Sequence, residues 1–200
     1  MAPTARIAAL GGALMLALVL SACGGGENAS TTGAEAPPAA SAEVSQEHNE
    51  ADIRFAQEMI PHHRQATQMA ALAADRSDSD DVKALAEEII AAQQPEIETM
   101  TAFLEMWGQA MDNGPMGGMN MGGMNGMAPQ QQLTELENAS GPAFDRLFLQ
   151  LMVAHHEGAI EMARAEQADG LNPQAIELAK QIESAQTEEI ARMQDLLPTI

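Results

Sequence analysis

Tyrosine is absent from this 200-residue chain, tryptophan occurs once and phenylalanine four times. Strands draw on aromatic and β-branched residues, so this composition argues against a sheet protein. The apolar fraction of 46% rests instead on Ala, Leu, Ile and an unusual fifteen Met. That balance suits an all-α fold. Basic residues are also few: nine Lys and Arg stand against 29 Asp and Glu, for a formal charge of −20. This argues against nucleic acid as a partner, because phosphates need Lys and Arg. An acidic surface attracts cations and repels anions. It also serves as a solvated surface that resists aggregation. Cysteine occurs once, at Cys23, so no disulfide can form within the chain.

The N-terminus reads as an export signal. Arg6 supplies a positive start, and "IAALGGALMLALVL" has signal-peptide length rather than the length of a membrane span. Leu20, Ser21, Ala22 and Cys23 close the run and resemble a bacterial lipobox. The resemblance implies removal of residues 1–22 and lipidation of Cys23. The alternative is an ordinary secretory peptide with a spare cysteine. Residues 23–45 are Gly, Ala, Ser, Thr and Pro with little else. That composition cannot bury a core and reads as a flexible tether. The expected location is outside the cytoplasm, on the outer face of a bacterial plasma membrane or facing the periplasm. Contact with the membrane would be through the lipid alone.

Residues 46–200 carry helical periodicity. Asp52, Phe55, Met59, His62, Ala66 and Met69 recur at steps of three and four. "RSDSDD" interrupts the pattern and offers Ser77, Asp78 and Ser79 as helix N-caps. A second run from Leu85 to Leu104 ends near Gly108. Further runs cover about Gln131–Ala168, interrupted at "SGP" (Ser140–Pro142), and about Pro173–Leu197. Pro173 suits a first helical position. An offset of 93 residues maps the first helical pair onto the second without a gap. Met59, His62, His63 and Met69 land on Met152, His155, His156 and Met162. Gln93, Glu96 and Met100 land on Gln186, Glu189 and Met193. Two such hairpins, stacked on their apolar faces, predict a four-helix bundle with a pseudo-twofold axis. The Met- and Gly-rich stretch at 109–130 becomes the long connection between them.

Each hairpin keeps polar residues on its apolar face. With the turns centred near Asp78 and Leu171, His62 falls beside Gln93 and Glu96, and His155 beside Gln186 and Glu189. Burying such groups unpaired costs several kcal/mol. They must bond to one another, to water or to a metal. A hydrogen-bond network is one reading. A copper or silver site is a second: imidazole nitrogen, thioether sulfur and carboxylate suit copper in either oxidation state. A ferritin-like di-iron oxidase is a third, but it needs Glu three residues before His. Met59 and Met152 stand there instead. His63 and His156 point about 100° away from their neighbours. They are expected at interhelical edges, or as a second, more exposed ligand set. Pro61 and Pro95 fall inside helices of the first hairpin, with Ala154 and Glu188 at the matching places of the second. A local kink that distinguishes the two half-sites is expected there.

Met111, Met116, Met119, Met121, Met124 and Met127 crowd the connection among Gly and Asn. Gly-Gly pairs disfavour helix there. Thioethers select Cu(I) and Ag(I) and form no disulfides in an oxidising envelope. A low-complexity linker or an adaptable apolar surface is the alternative.

"DIRFAQEMIPHHRQATQMA" with "LAEEIIAAQQPEIETM", and "DRLFLQLMVAHHEGAIEMA" with "LAKQIESAQTEEIARM", resemble the bacterial domain-of-unknown-function 305 family over about Gln46–Leu197. The resemblance implies a ferritin-like four-helix bundle, usually exported, in a family where some members bind copper or silver. The motif positions match at Met59, His62, His63, Met69, Met152, His155, His156 and Met162. The expectation is a lipid-anchored copper- or silver-binding protein acting as a buffer or carrier in metal tolerance. Its ligands are drawn from these residues with Glu96, Met100, Glu189, Met193 and the connection's methionines. The rival is a metal-free module of the cell envelope that binds a protein partner or a second copy of itself. A redox enzyme is the third reading.

Overall fold

The computed structural model describes residues 45–109 and 126–200. Cys23, the signal and tether to residue 44, and Met111, Met116, Met119, Met121 and Met124 lie outside the described residues. Those residues form α1 (Glu50–Ala71), a short α2 (Ala73–Arg76), α3 (Asp80–Met106), α4 (Gln130–Asn138), α5 (Gly141–Asp169), α6 (Pro173–Leu196) and a last 3-10 turn, Leu197–Thr199. Among the described residues there is no strand, and the fold is all-α as expected.

Local chemistry sets the helix ends. Asn49 caps α1 by accepting from the Ala51 and Asp52 amides, and the Asp52 carboxylate accepts from the Asn49 N–H at 2.6 Å. This reciprocal box satisfies amides that the first turn leaves without partners. Ser79, one of the three expected caps, starts α3 by accepting from Val82. α4 ends at Asn138 and α5 begins at Gly141, so "SGP" does separate two helices. Asn172 caps α6 with Pro173 at the first position. Pro61 and Pro95 lie within α1 and α3, and both helices continue through them. Each ring removes an amide donor from the ladder.

α1 packs along α3, α5 along α6, and α1 against α5, while α3 and α6 touch more sparsely. The buried apolar residues divide into two clusters. One holds the first half of α1, the end of α3, Ala159 and Ala163 of α5 and the start of α6, including Met59, Phe103 and Met100. The other holds the second half of α1, the start of α3 and the first half of α5, including Phe144, Phe148, Met152 and Met69, with Met193 of α6. The pairing of opposite helix halves makes α1 and α5 antiparallel. Between the clusters lie His62, His63, Gln93, His155, His156 and Gln186, all buried. A polar layer thus crosses the middle of the core.

One end is fastened by Asn172, which is fully buried. Its Oδ1 accepts from the Gln174 and Ala175 amides at 3.0 Å each. Its Nδ2 donates to the Ser45 and Glu47 carbonyls at 2.9 Å each. Asn172→Ala is expected to cost about 2 kcal/mol, since it removes a cap and two buried donors. Urea denaturation would show this as a lower midpoint at unchanged slope. An unchanged midpoint would mean the clamp adds nothing to stability.

A candidate metal centre in the histidine layer

α1 has two neighbours, and its adjacent histidines face one each. His62 meets His155 of α5, with ring centroids 3.7 Å apart and planes tilted by 38°. His63 faces α3, where its Nε2 lies 2.7 Å from Glu96 Oε2. His156 makes the same contact with Glu189 on α6, also at 2.7 Å. Two expectations are corrected here. His63 and His156 are neither partly buried edge residues nor a more exposed set but fully buried, and the Glu partners belong to them rather than to His62 and His155. The physical reason is the register. The observed pairs centre each hairpin between one and two residues beyond the turns assumed from the sequence, so the residue level with Glu96 is His63 rather than Ile60, while the His62 ring faces α5 instead of α3. A helix flanked on two sides also buries two successive positions, not one stripe.

A carboxylate only accepts, so Nε2 of His63 and of His156 donates in these contacts. Both Nδ1 atoms are buried without a hydrogen-bond partner, as are both ring nitrogens of His155, both amide atoms of Gln93 and Oε1 of Gln186. So many orphaned acceptors and donors in one layer are uncommon in a native interior. Burial, and next the neighbouring His62, His156 and His63, hold the His155 imidazolium pKa well below its ordinary value, with the His62 backbone pulling weakly the other way. His155 is therefore neutral and available as a ligand at physiological pH.

The methionines divide by position. Met59 and Met152 stand one helical turn before His62 and His155, and both are fully buried. Met100 and Met193 are fully buried in the two separate apolar clusters. Met69 and Met162 lie two turns away from the histidines. Met69 is core, and Met162 lines a surface pocket with Phe55, Glu58 and Glu161. Met127 is buried, at 8% exposure. Among the described residues no three of His, Cys, Asp and Glu converge to hold an ion. The donor set of neutral imidazole with thioether fits a soft monovalent ion, which selects such ligands.

Two buried polar features escaped the sequence reading. Gln65 holds the backbone of Ala128 by two hydrogen bonds, at 2.7 and 3.1 Å. The visible signal was a break in the 93-residue repeat, Gln65 against Gly158. The other feature is a carboxyl pair. Asp52 accepts from the amides of Asn49, Leu171 and Asn172. Burial pushes its pKa up, but these amides and the Glu166 carboxyl outweigh that and hold it below the ordinary value. Glu166 is pushed up to about 8, by burial first and then by Asp52. Glu166 is thus protonated at neutral pH and shares its proton with Asp52.

The chain is similar to several solved proteins. A DUF305 protein of Streptomyces coelicolor is 33% identical, with a TM-score of 0.67 over 74% of this chain and 93% of that one. A DUF305 fragment of Deinococcus radiodurans is 31% identical, with a TM-score of 0.69 over 76% of this chain and 98% of that one. CopM, solved with Cu(II) bound, is 28% identical, with a TM-score of 0.64 over 74% of this chain and 96% of that one. CopM has also been solved with Cu(I) and with silver bound. No functionally curated protein matches the chain. The sequence profile of the domain of unknown function DUF305 matches residues 52–197, which takes in every helix that contributes to the histidine layer. By that match and by its solved relatives, this chain belongs to the DUF305 family.

Proposed function

We propose that this protein is an exported, lipid-anchored binder of Cu(I), and of Ag(I) by the same chemistry, that buffers or carries the ion in metal tolerance. The observation that carries the reading is the buried polar layer in which the neutral His155 ring and Nδ1 of His63 and of His156 have no hydrogen-bond partner, with thioethers one turn away. His62 and His155 would ligate, with Met59 and Met152 as the adjacent sulfurs. His63 and His156 would present Nδ1, with Glu96 and Glu189 fixing their tautomers from behind. Carboxylates that orient a ligating imidazole in this way strengthen it as a donor. Met116, Met119, Met121, Met124 and Met127 would hold further Cu(I) more weakly. Met69, Met100, Met162 and Met193 would serve mainly as packing. We read the four long helices as a ferritin-like bundle of two repeated hairpins, with residues 1–22 as signal, Cys23 as the lipidated residue and 23–45 as tether. The copper- and silver-bound forms of CopM support the choice of metal.

A metal-free interaction module is the second reading. It is favoured by one observation: the His62 and His155 rings lie in close, tilted contact rather than standing open around a common point. Titration of the purified protein with Cu(I), Cu(II) and Ag(I) against a competing chelator separates the two. Retention of at least one Cu(I) or Ag(I) in preference to Cu(II) is expected. Absence of competition by the protein for any of the three would leave the interaction module.

A further inference from the structure

Gly126–Ala128 returns from the methionine-rich connection and crosses the groove between α1 and α5. Gly126 has φ +80, and a Cβ placed on it would stand 2.6 Å from the Ala154 carbonyl, 2.9 Å from the His155 carbonyl and 2.9 Å from Gly158 Cα. Only glycine allows backbone to lie this close and to adopt that φ. On the opposite wall, Gln65 sits one turn after His62 and is 2% exposed. Its Oε1 accepts from the Ala128 N–H at 2.7 Å and its Nε2 donates to the Ala128 carbonyl at 3.1 Å. The backbone on either side of Met127 is therefore fastened, to α5 at the level of His155 and to α1 one turn after His62, and Met127 itself is 8% exposed.

The two halves of the repeat differ at this point. Gln65 and Gly158 occupy equivalent places 93 residues apart. One supplies the clamp, and the other has no side chain and leaves room for the crossing backbone. Neither could do the other's task.

We infer that Gln65 is a positioning residue that seats Met127 as a sulfur donor on one side of the His62–His155 site. The duplicated layer then becomes a single asymmetric site, joined to the end of the methionine-rich connection. This rests on the proposed Cu(I) reading. The clamp itself does not, because it is visible without metal.

The test uses the full-length protein and its Gln65→Ala, Met127→Leu and double variants. Without metal, Gln65→Ala is expected to speed hydrogen exchange at the Ala128 amide and peroxide oxidation of Met127 about 10-fold or more. Exchange in the middle of α5 should stay unchanged. With Cu(I), each single variant is expected to bind about 10-fold more weakly, and the double variant no more weakly than either. Each should also lose one sulfur from the copper X-ray absorption shell. Unchanged exchange and oxidation would overturn the clamp. Altered exchange with wild-type Cu(I) affinity and sulfur count would overturn Met127 as a donor. Failure of the wild-type protein to bind Cu(I) would overturn the underlying reading and Met127's role with it, while the exchange result would still decide the clamp.

Discussion

Replacing His155 by Leu is expected to stabilise the metal-free protein by about 1–3 kcal/mol while weakening Cu(I) binding about 100-fold. The two effects have one origin. His155 is fully buried and both its ring nitrogens lack hydrogen-bond partners. Leaving a polar atom buried and unpaired costs about 1–3 kcal/mol, and an apolar side chain of similar volume removes that cost. Some ring stacking with His62 is lost, which trims the gain. The same substitution deletes a neutral imidazole from the proposed ligand set. A 100-fold loss of affinity corresponds to about 2.8 kcal/mol. Thermal denaturation with and without Cu(I) reads both arms. The metal-free melting temperature should rise, and the added stability from Cu(I) should shrink. A variant that melts lower without metal but binds Cu(I) as before would make His155 a structural residue. This is the trade-off expected where a binding site is held in an interior that would be more stable without it.

The metal-free protein is expected to lose about 2 kcal/mol between pH 6.5 and pH 8, and Glu166→Gln is expected to abolish that loss. The carboxyl of Glu166 has an ordinary value of 4.5 when the chain is unfolded and about 8 when folded. Between those values the folded state holds a proton that the unfolded state has released. Stability therefore falls as pH rises, by about 1.4 kcal/mol per unit, and levels off above pH 8. His155 acts in the opposite direction below its ordinary value of 6.5. Its folded pKa is depressed, so its contribution grows as pH rises and is complete by about pH 6.5. The window from 6.5 to 8 isolates Glu166. Asp52, held low, is ionised throughout and loses its contribution only in strong acid. A glutamine retains a donor toward Asp52 and has no proton to lose. Urea midpoints of both proteins across this range supply the measurement. A flat wild-type profile, or an equal slope in Glu166→Gln, would refute the shared proton.

A large part of the candidate site was legible in the sequence. The scarcity of aromatics, the three-and-four spacing and the 93-residue offset pointed to helices. They also pointed to a polar layer containing His62, Gln93 and Glu96 and their counterparts, with His63 and His156 left to the interhelical edges. Those signals are local or periodic, and helices follow from them because an amphipathic stripe must be buried. Ser79 and Pro173 stood where caps and first positions were expected. Pairing was beyond its reach. A shift of one to two residues in the turn brings Glu96 level with His63 instead of Ile60, and which neighbour each histidine faces depends on tertiary contacts that no spacing rule encodes.

The sequence by itself determined the all-helical class, the two places where histidines enter the core and the residue types that surround them there. These depend on residue type and on the helical period alone. Only the tertiary structure decided that His62 meets His155, that His63 and His156 are fully buried on their glutamates, and that Gln65 and Gly158 fasten the backbone on either side of Met127. It also placed the Glu166 carboxyl within reach of Asp52. Each of these joins residues far apart in the chain, and their partners are selected by how whole helices pack. The energies that select them are sums over many contacts, so no short stretch contains them.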